Sequence, residues 1–144
     1  MSKPVRVAAA LILRGGRFLI CRRPAHKARG GLWEFAGGKV EPGESAAEAL
    51  VRECREELDI EVVPGPVYME LTHAYPDLTV ELILLRVDEF RGEPRLLEHS
   101  ELRWIRTEEI GDYDFCPADR EILERLTREG LPQSRAAQKN GKPS

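Results

Sequence analysis

The run from Gly38 to Ile60, GKVEPGESAAEALVRECREELDI, constrains this chain more than any other segment. Pro42-Gly43 makes a tight approach. Ser45-Ala46-Ala47-Glu48 then reads as a capping box, in which the serine hydroxyl and the glutamate three residues on take up each other's backbone N–H groups. The residues up to Leu58 are mostly strong helix formers, so the pattern predicts a helix from Ser45 to Leu58. At about 100° per residue, Ala47, Leu50, Val51, Cys54 and Leu58 fall on one packing stripe. Glu53, Glu56 and Glu57 cluster on the other side and are expected to face out. Carboxylates three and four residues apart repel one another, and a divalent cation would remove that repulsion. Hard oxygen donors of this kind suit Mg²⁺ or Mn²⁺, which keep several waters and bridge to phosphate groups. A solvated charge-rich helix would show the same acids, but the glycine-bearing loop ahead of them weighs against that reading.

The full pattern is Gly38, five residues, Glu44, seven residues, Arg52-Glu53, an apolar position, any residue, Glu56-Glu57, and an aliphatic at Ile60. It resembles the signature box of the Nudix hydrolases. Two positions depart from the pattern: Cys54 stands where an aliphatic is usual, and Asp59 replaces a second glycine. Cysteine buries easily. Aspartate tolerates the left-handed conformation needed past a helix end better than most residues do, so a slightly strained helix exit is expected. The resemblance implies that Glu53, Glu56 and Glu57 are metal ligands, with the backbone carbonyl of Gly38 near the same ion. It also implies that Arg52 and Glu44 support them, the planar guanidinium orienting the carboxylates. The implied cofactor is Mg²⁺, with Mn²⁺ as a substitute.

With 144 residues, 42% of them hydrophobic and 33% charged, the chain is expected to form one domain over 1–132. The polar stretch QSRAAQKNGKPS, 133–144, reads as a disordered tail. No apolar run approaches the roughly 18 residues of a membrane span, and the apolar N-terminal stretch carries Arg6 and ends at a turn, unlike a signal peptide. Cys21, Cys54 and Cys116 are odd in number and lack CxxC spacing, which fits a reduced, cytoplasmic complement. A net charge of −3 offers long nucleic acids no electrostatic attraction. A small phosphorylated molecule escorted by metal fits better. Self-association stays open between monomer and homodimer.

Around the helix the chain reads as β-rich. Val5–Leu13 and Phe18–Arg22 form a hairpin across Gly15-Gly16. Val67–His73 and Leu78–Phe90 form an extended pair across Tyr75-Pro76-Asp77, and Leu102–Ile105 is a short strand. A last helix begins near Pro117 and packs through Ile122, Leu123 and Leu126. This order implies an α/β sandwich, in agreement with the fold the resemblance implies, a mixed β-sheet between helices.

The resemblance spans roughly Val5 to Leu126 and is most similar to the MutT-like branch, including its cytidine-triphosphate members, through Gly31-Leu32-Trp33-Glu34-Phe35-Ala36-Gly37-Gly38-Lys39. It implies hydrolysis of a nucleoside triphosphate substrate to the monophosphate and pyrophosphate, cleaning the nucleotide pool of 8-oxo-dGTP or of CTP and modified cytidine nucleotides. Metal charge would activate the attacking water and a carboxylate would accept its proton. Glu53 is the first choice for that base and Glu98 the second, against an exposed loop acid as the plainer reading of Glu98. His99 reads as a structural hydrogen-bonding residue. Arg22 and Arg23 end a strand and either contact phosphate or merely mark a basic strand end, with Arg23 matching a substrate-contacting position of the branch. Phe35 either stacks on the base or belongs to the core. Asp119, in Phe115-Cys116-Pro117-Ala118-Asp119, matches the position that reads the base edge, where an ionised carboxylate accepts only and favours the exocyclic amine of cytosine. It could equally answer the helix dipole. Two other classes compete: a Nudix hydrolase of another nucleoside diphosphate derivative such as a sugar nucleotide, and a non-catalytic nucleotide-binding module. The first usually brings long extra loops, the second eroded box acids, and the sequence has neither feature.

Overall fold

The computed structural model describes residues 3–133, so the tail expected at 133–144 lies outside the described residues beyond Gln133. In chain order the elements are β1 (Val5–Arg14), β2 (Arg17–Arg22), β3 (Trp33–Glu34), β4 (Gly37–Lys39), α1 (Ala46–Leu58), β5 (Glu61–Val63), β6 (Val67–Ala74), β7 (Thr79–Val87), β8 (Glu89–Arg91), β9 (Glu101–Ile105) and α2 (Arg120–Glu129). A 3₁₀ turn over Thr107–Asp112 follows β9, and another over Pro117–Asp119 leads into α2. Seven strands form a mixed sheet in the order β3-β2-β1-β7-β6, with β4 also on β1 and β9 also on β2. β1 and β7 run parallel from Val5↔Val80 to Ile12↔Val87, and the other pairings are antiparallel.

Strand β1 organises both cores because its side chains alternate between the two faces of the sheet. Ala8, Ala10 and Ile12 pack with Leu50, Cys54 and Leu58 of α1. Ala9, Leu11 and Leu13 pack with Ile122, Leu123 and Leu126 of α2. Continuous burial from Ala8 to Leu13 follows from cover on both faces. The β1–β2 hairpin turns as expected at Gly15 and Gly16, with φ of 58° and 78°. Both residues therefore occupy the region that glycine enters without strain, as tight hairpins require.

Helix α1 matches its sequence signals at both ends. Ser45 Oγ accepts from the Glu48 N–H at 3.1 Å and Glu48 Oε1 accepts from the Ser45 N–H at 2.9 Å. Asp59 takes the left-handed conformation (φ 59°, ψ 40°), its N–H bonding to the Arg55 carbonyl, which is the strained exit expected where glycine is missing. The expectation that all three acids face out needs correction, because Glu57 is buried at 9% exposure. It follows the buried Leu50 by seven residues, close to two turns, and so shares that face.

Two further differences have local causes. The extended run Leu78–Phe90 breaks at Asp88, whose carboxylate pairs with Arg86 at 3.1 Å, and the chain leaves the main sheet. β8 then pairs with β5 in a separate two-stranded sheet. β3, β4 and β5 span two or three residues each, too short for periodicity to mark them.

Candidate functional site

Beside the C-terminal half of α1 lies a cleft of about 300 Å³, with acids and glycines at one end and a mixed polar and aromatic surface at the other. Of the site residues expected from sequence, Gly38, Glu57, Glu98, Arg23, Phe35 and Asp119 all line it. A larger, more open groove of about 1180 Å³ between the β1–β2 turn and the β5–β8 sheet contains none of them.

The acidic end is built by α1 against β4. Glu57 Oε1 accepts from the Gly37 N–H at 3.2 Å. Burial is the main reason its carboxyl rises to about 9, helped by Glu53, Glu34 and Glu98 and opposed by the Gly37 N–H. Glu98 is exposed on the loop before β9 and lines the same cleft. Gly38 lies flush against the next acid, because a Cβ there would run into the Glu53 carboxylate. Arg52 ties the group together. It donates to both Glu44 oxygens at 2.7 and 2.9 Å, to Glu53 at 2.9 Å, to Glu56 at 3.4 Å and to the Lys39 carbonyl at 2.9 Å. Hydrogen bonds from Arg52, then from the Glu41 N–H, hold the Glu44 carboxyl down at about 2. Glu44, Arg52, Glu53 and Glu56 thus form an ion-pair network behind the cleft wall.

Among the described residues no three His, Cys, Asp or Glu side chains are gathered at metal-holding spacing. The donor set nevertheless fits a hard divalent cation: carboxylates only, one of them buried without a cation to answer it, and a glycine whose missing side chain makes room for the Glu53 carboxylate against the backbone.

At the other end, β2, β3 and the Asp114–Asp119 segment converge. Trp33 donates to the Asp114 carbonyl at 2.8 Å and accepts from the Cys116 N–H at 2.9 Å, which fixes that segment along β3. Arg23 donates to the Ala28 carbonyl at 2.8 Å and to Glu34 Oε1 at 3.0 Å. The other Glu34 oxygen meets His99 Nε2 at 3.1 Å, so His99 is a buried hydrogen-bonding partner. Arg22 turns away from the cleft to Glu101 at 2.7 Å and to the Gly31 carbonyl and does not line the cleft. Phe35 serves two surfaces: it stacks on Phe18 with centroids 6.0 Å apart, inside the α2-side core, and also lines the cleft.

Asp119 occupies the N-cap of α2 and makes no side-chain capping hydrogen bond there. It is buried at 6% exposure. Burial, reinforced by Glu34 and opposed by Arg23, raises its carboxyl well above the usual range. A raised carboxyl favours the protonated form, which both donates and accepts as an asparagine amide does, over the accept-only carboxylate.

Glu34, Tyr75 and Arg29 also line the cleft, and the sequence reading does not single them out. For Glu34 a signal is present, a lone acid between the aromatics Trp33 and Phe35. Tyr75 and Arg29 sit in a turn and a loop, where periodicity says nothing.

A mixed sheet carrying an arginine-bound glutamate helix beside a cleft of about 300 Å³ has the make-up of a site for a small phosphorylated molecule and a hard cation. A NUDIX domain model matches residues 8–125. The CTP pyrophosphohydrolase of Escherichia coli (strain K12) is 43% identical over 122 residues, covering 85% of this chain and 90% of that protein. The 8-oxo-dGTP diphosphatase of the same strain is 30% identical over 127 residues, with coverage of 88% and 98%. The crystal structure of the MutT protein from Methanosarcina mazei Go1 superposes with a TM-score of 0.80 at 32% identity, covering 92% of this chain and 99% of that one. The chain belongs to the Nudix hydrolase family. Enzymes of this family generally use a divalent metal ion.

Proposed function

We propose that this enzyme is an Mg²⁺-dependent nucleoside triphosphate pyrophosphohydrolase that releases a nucleoside monophosphate and pyrophosphate, with CTP and modified cytidine nucleotides as preferred substrates. The reading of nucleotide-pool hydrolysis rests on the family and on relatives named for two such activities. The observation that carries the site is Gly38, which packs against the Glu53 carboxylate and lines the cleft together with Glu57 and Glu98.

Glu53, Glu56, Glu57 and the Gly38 carbonyl would hold the ion, with Mn²⁺ as a substitute. When bound, the ion supplies Lewis-acid activation of water and neutralises charge on phosphate oxygens. The chain's own groups do the rest. Arg52, fixed by Glu44, aims Glu53 through a charge-assisted hydrogen bond. Glu53, or Glu98 from the facing loop, accepts the proton of the attacking water. Arg23, braced by Glu34 and by the Ala28 carbonyl, offers a fixed cation to phosphate oxygens. Phe35 supplies an apolar face for the base, and the neutral Asp119 carboxyl pairs with one donor and one acceptor on its edge, as N4 and N3 of cytosine present. The Hoogsteen edge of 8-oxoguanine also presents such a pair. The greater similarity to the CTP pyrophosphohydrolase favours cytosine.

We read 1–132 as a single domain acting as monomer or homodimer in the cytoplasm, where the three cysteines, buried and unpaired here, stay reduced. No helix among the described residues is long and apolar enough to cross a membrane. The test is pyrophosphate release with Mg²⁺ from CTP, 5-methyl-dCTP, dGTP, 8-oxo-dGTP and ADP-ribose, compared as kcat/KM. A preference for the cytidine nucleotides is expected. Preference for 8-oxo-dGTP would turn the enzyme into a guard against oxidised purines, and preference for ADP-ribose would defeat the triphosphate reading.

A further inference from the structure

Tyr75 begins the β6–β7 turn, where its N–H bonds to the Leu78 carbonyl at 2.7 Å. Its side chain lines the cleft. Its hydroxyl accepts from the Ala118 N–H at 2.9 Å, across 43 residues of sequence. That N–H belongs to the start of the terminal helical segment, where backbone donors have no intrahelical partner. Pro117 has no N–H, the 3₁₀ turn has no side-chain cap, and Asp119 does not cap α2. The tyrosine hydroxyl therefore anchors the turn that carries Asp119.

A phenol hydroxyl has one proton and more than one lone pair. The Ala118 bond uses a lone pair and leaves the proton to be donated. Burial raises the Tyr75 phenol, which keeps that proton in place at neutral pH.

The ring is held from both sides. The Arg29 guanidinium lies 4.1 Å from the ring centroid and pairs with Asp77 at 3.2 Å, while His73 meets the ring edge-on at 4.5 Å. Arg29 adopts a left-handed φ of 58°, a conformation non-glycine residues keep only where their surroundings enforce it. The following Gly30 packs so tightly that a Cβ would run into the Ala25 carbonyl. A strained loop is thus pinned to the β6–β7 turn through this ring and through the Arg29–Asp77 pair.

We propose that Tyr75 is a specificity-determining residue: its hydroxyl fixes the Ala118–Asp119 turn and donates its own proton to a keto oxygen or ring nitrogen of the nucleobase beside Asp119. Arg29 and Asp77 act as positioning residues that clamp the ring. This rests on the reading of Asp119 as the base-edge reader.

Tyr75→Phe keeps the ring and the Arg29 stack and removes only the hydroxyl. Steady-state kinetics with CTP and 8-oxo-dGTP, together with the inhibition constant of inorganic tripolyphosphate as a base-free probe, separate the base end from the phosphate end. The expected result is a rise of up to about tenfold in KM for the preferred nucleotide, larger than any fall in kcat. The ratio of kcat/KM between the two nucleotides should shift, and tripolyphosphate inhibition should be unchanged. Equal losses for both nucleotides, or a parallel weakening of tripolyphosphate, would reduce Tyr75 to a structural prop and overturn the proposal. Asp119→Ala in the same assay separates the two ideas. If it alters the nucleotide ratio while Tyr75→Phe does not, the Tyr75 role alone fails. If Asp119→Ala leaves the ratio untouched, the base-reading frame itself fails and the Tyr75 role falls with it.

Discussion

The two ends of the cleft are built in opposite ways. The acidic end comes mostly from one short stretch, Gly37 to Glu57, folded as a strand edge and the helix packed on it, with Glu98 added from the loop before β9. Its charges are answered openly: Arg52, partly exposed, contacts Glu44, Glu53 and Glu56 at once. The base-facing end draws Arg23, Glu34, Tyr75 and Asp119 from segments scattered over most of the chain, and Asp119 is buried with its carboxyl raised and with no arginine hydrogen-bonded to it among the described residues. A local, charge-dense site handles phosphate, a demand shared by every nucleotide. A non-local, desolvated one can change its choice of base through a single residue without touching the chemistry.

The sharpest way to break this division is at Glu57. Glu57→Gln keeps the shape and the contact with Gly37 while removing a carboxylate, and turnover should fall by about a thousandfold or more, equally for every nucleotide, with circular dichroism unchanged. An active Glu57→Gln enzyme would move the metal site elsewhere. Gly38→Ala puts a methyl group where the Glu53 carboxylate lies and should cost nearly as much activity with little loss of stability. Arg52→Lys comes next. An ammonium cannot reproduce the two bonds to Glu44 together with that to Glu53, so kcat should fall roughly ten- to a hundredfold, again without altering the ranking of bases. A changed ranking in Arg52→Lys would show that the two ends are coupled.

The same division explains what the sequence reveals in advance. Capping box, helix, acid spacing and the strained Asp59 exit are local signals, and each is found where the sequence places it. The β1–β2 hairpin is legible because Gly15-Gly16 leaves a two-residue turn little choice. Glu57 is assigned outward because a helical wheel drawn from apolar residues alone ignores an acid two turns beyond Leu50. The break at Asp88 escapes because it depends on a side-chain pair with Arg86, and on the small β5–β8 sheet, that alternation does not encode. Glu34, Arg29 and Tyr75 gain their roles only when the sheet brings β3, the Pro24–Gly31 loop and the β6–β7 turn against the segment before α2. The raised carboxyl of Asp119 is out of reach for the same reason, since burial is what raises it.

That shift yields the smallest effect and isolates the base-facing end without any substrate. The groups facing Asp119 are Glu34 from β3, Arg23 just past β2, Cys116 ahead of the 3₁₀ turn and Tyr75 from the β6–β7 turn. Asp119 is an acid whose value in the folded chain is raised above its value in the unfolded chain. Between those two values the folded state binds more protons, so stability falls as pH rises. Its favourable contribution is complete below the ordinary aspartate range near about 4 and is lost as pH climbs toward the raised folded value. An asparagine side chain cannot ionise, so Asp119→Asn carries no such loss. Melting temperatures of Asp119→Asn and the parent should therefore be close at about pH 4, with the variant gaining by a few degrees toward pH 8. A gap that stays constant over that range would mean that Asp119 is ionised in the folded protein, and the donor-and-acceptor reading of the base edge would return to a simple acceptor.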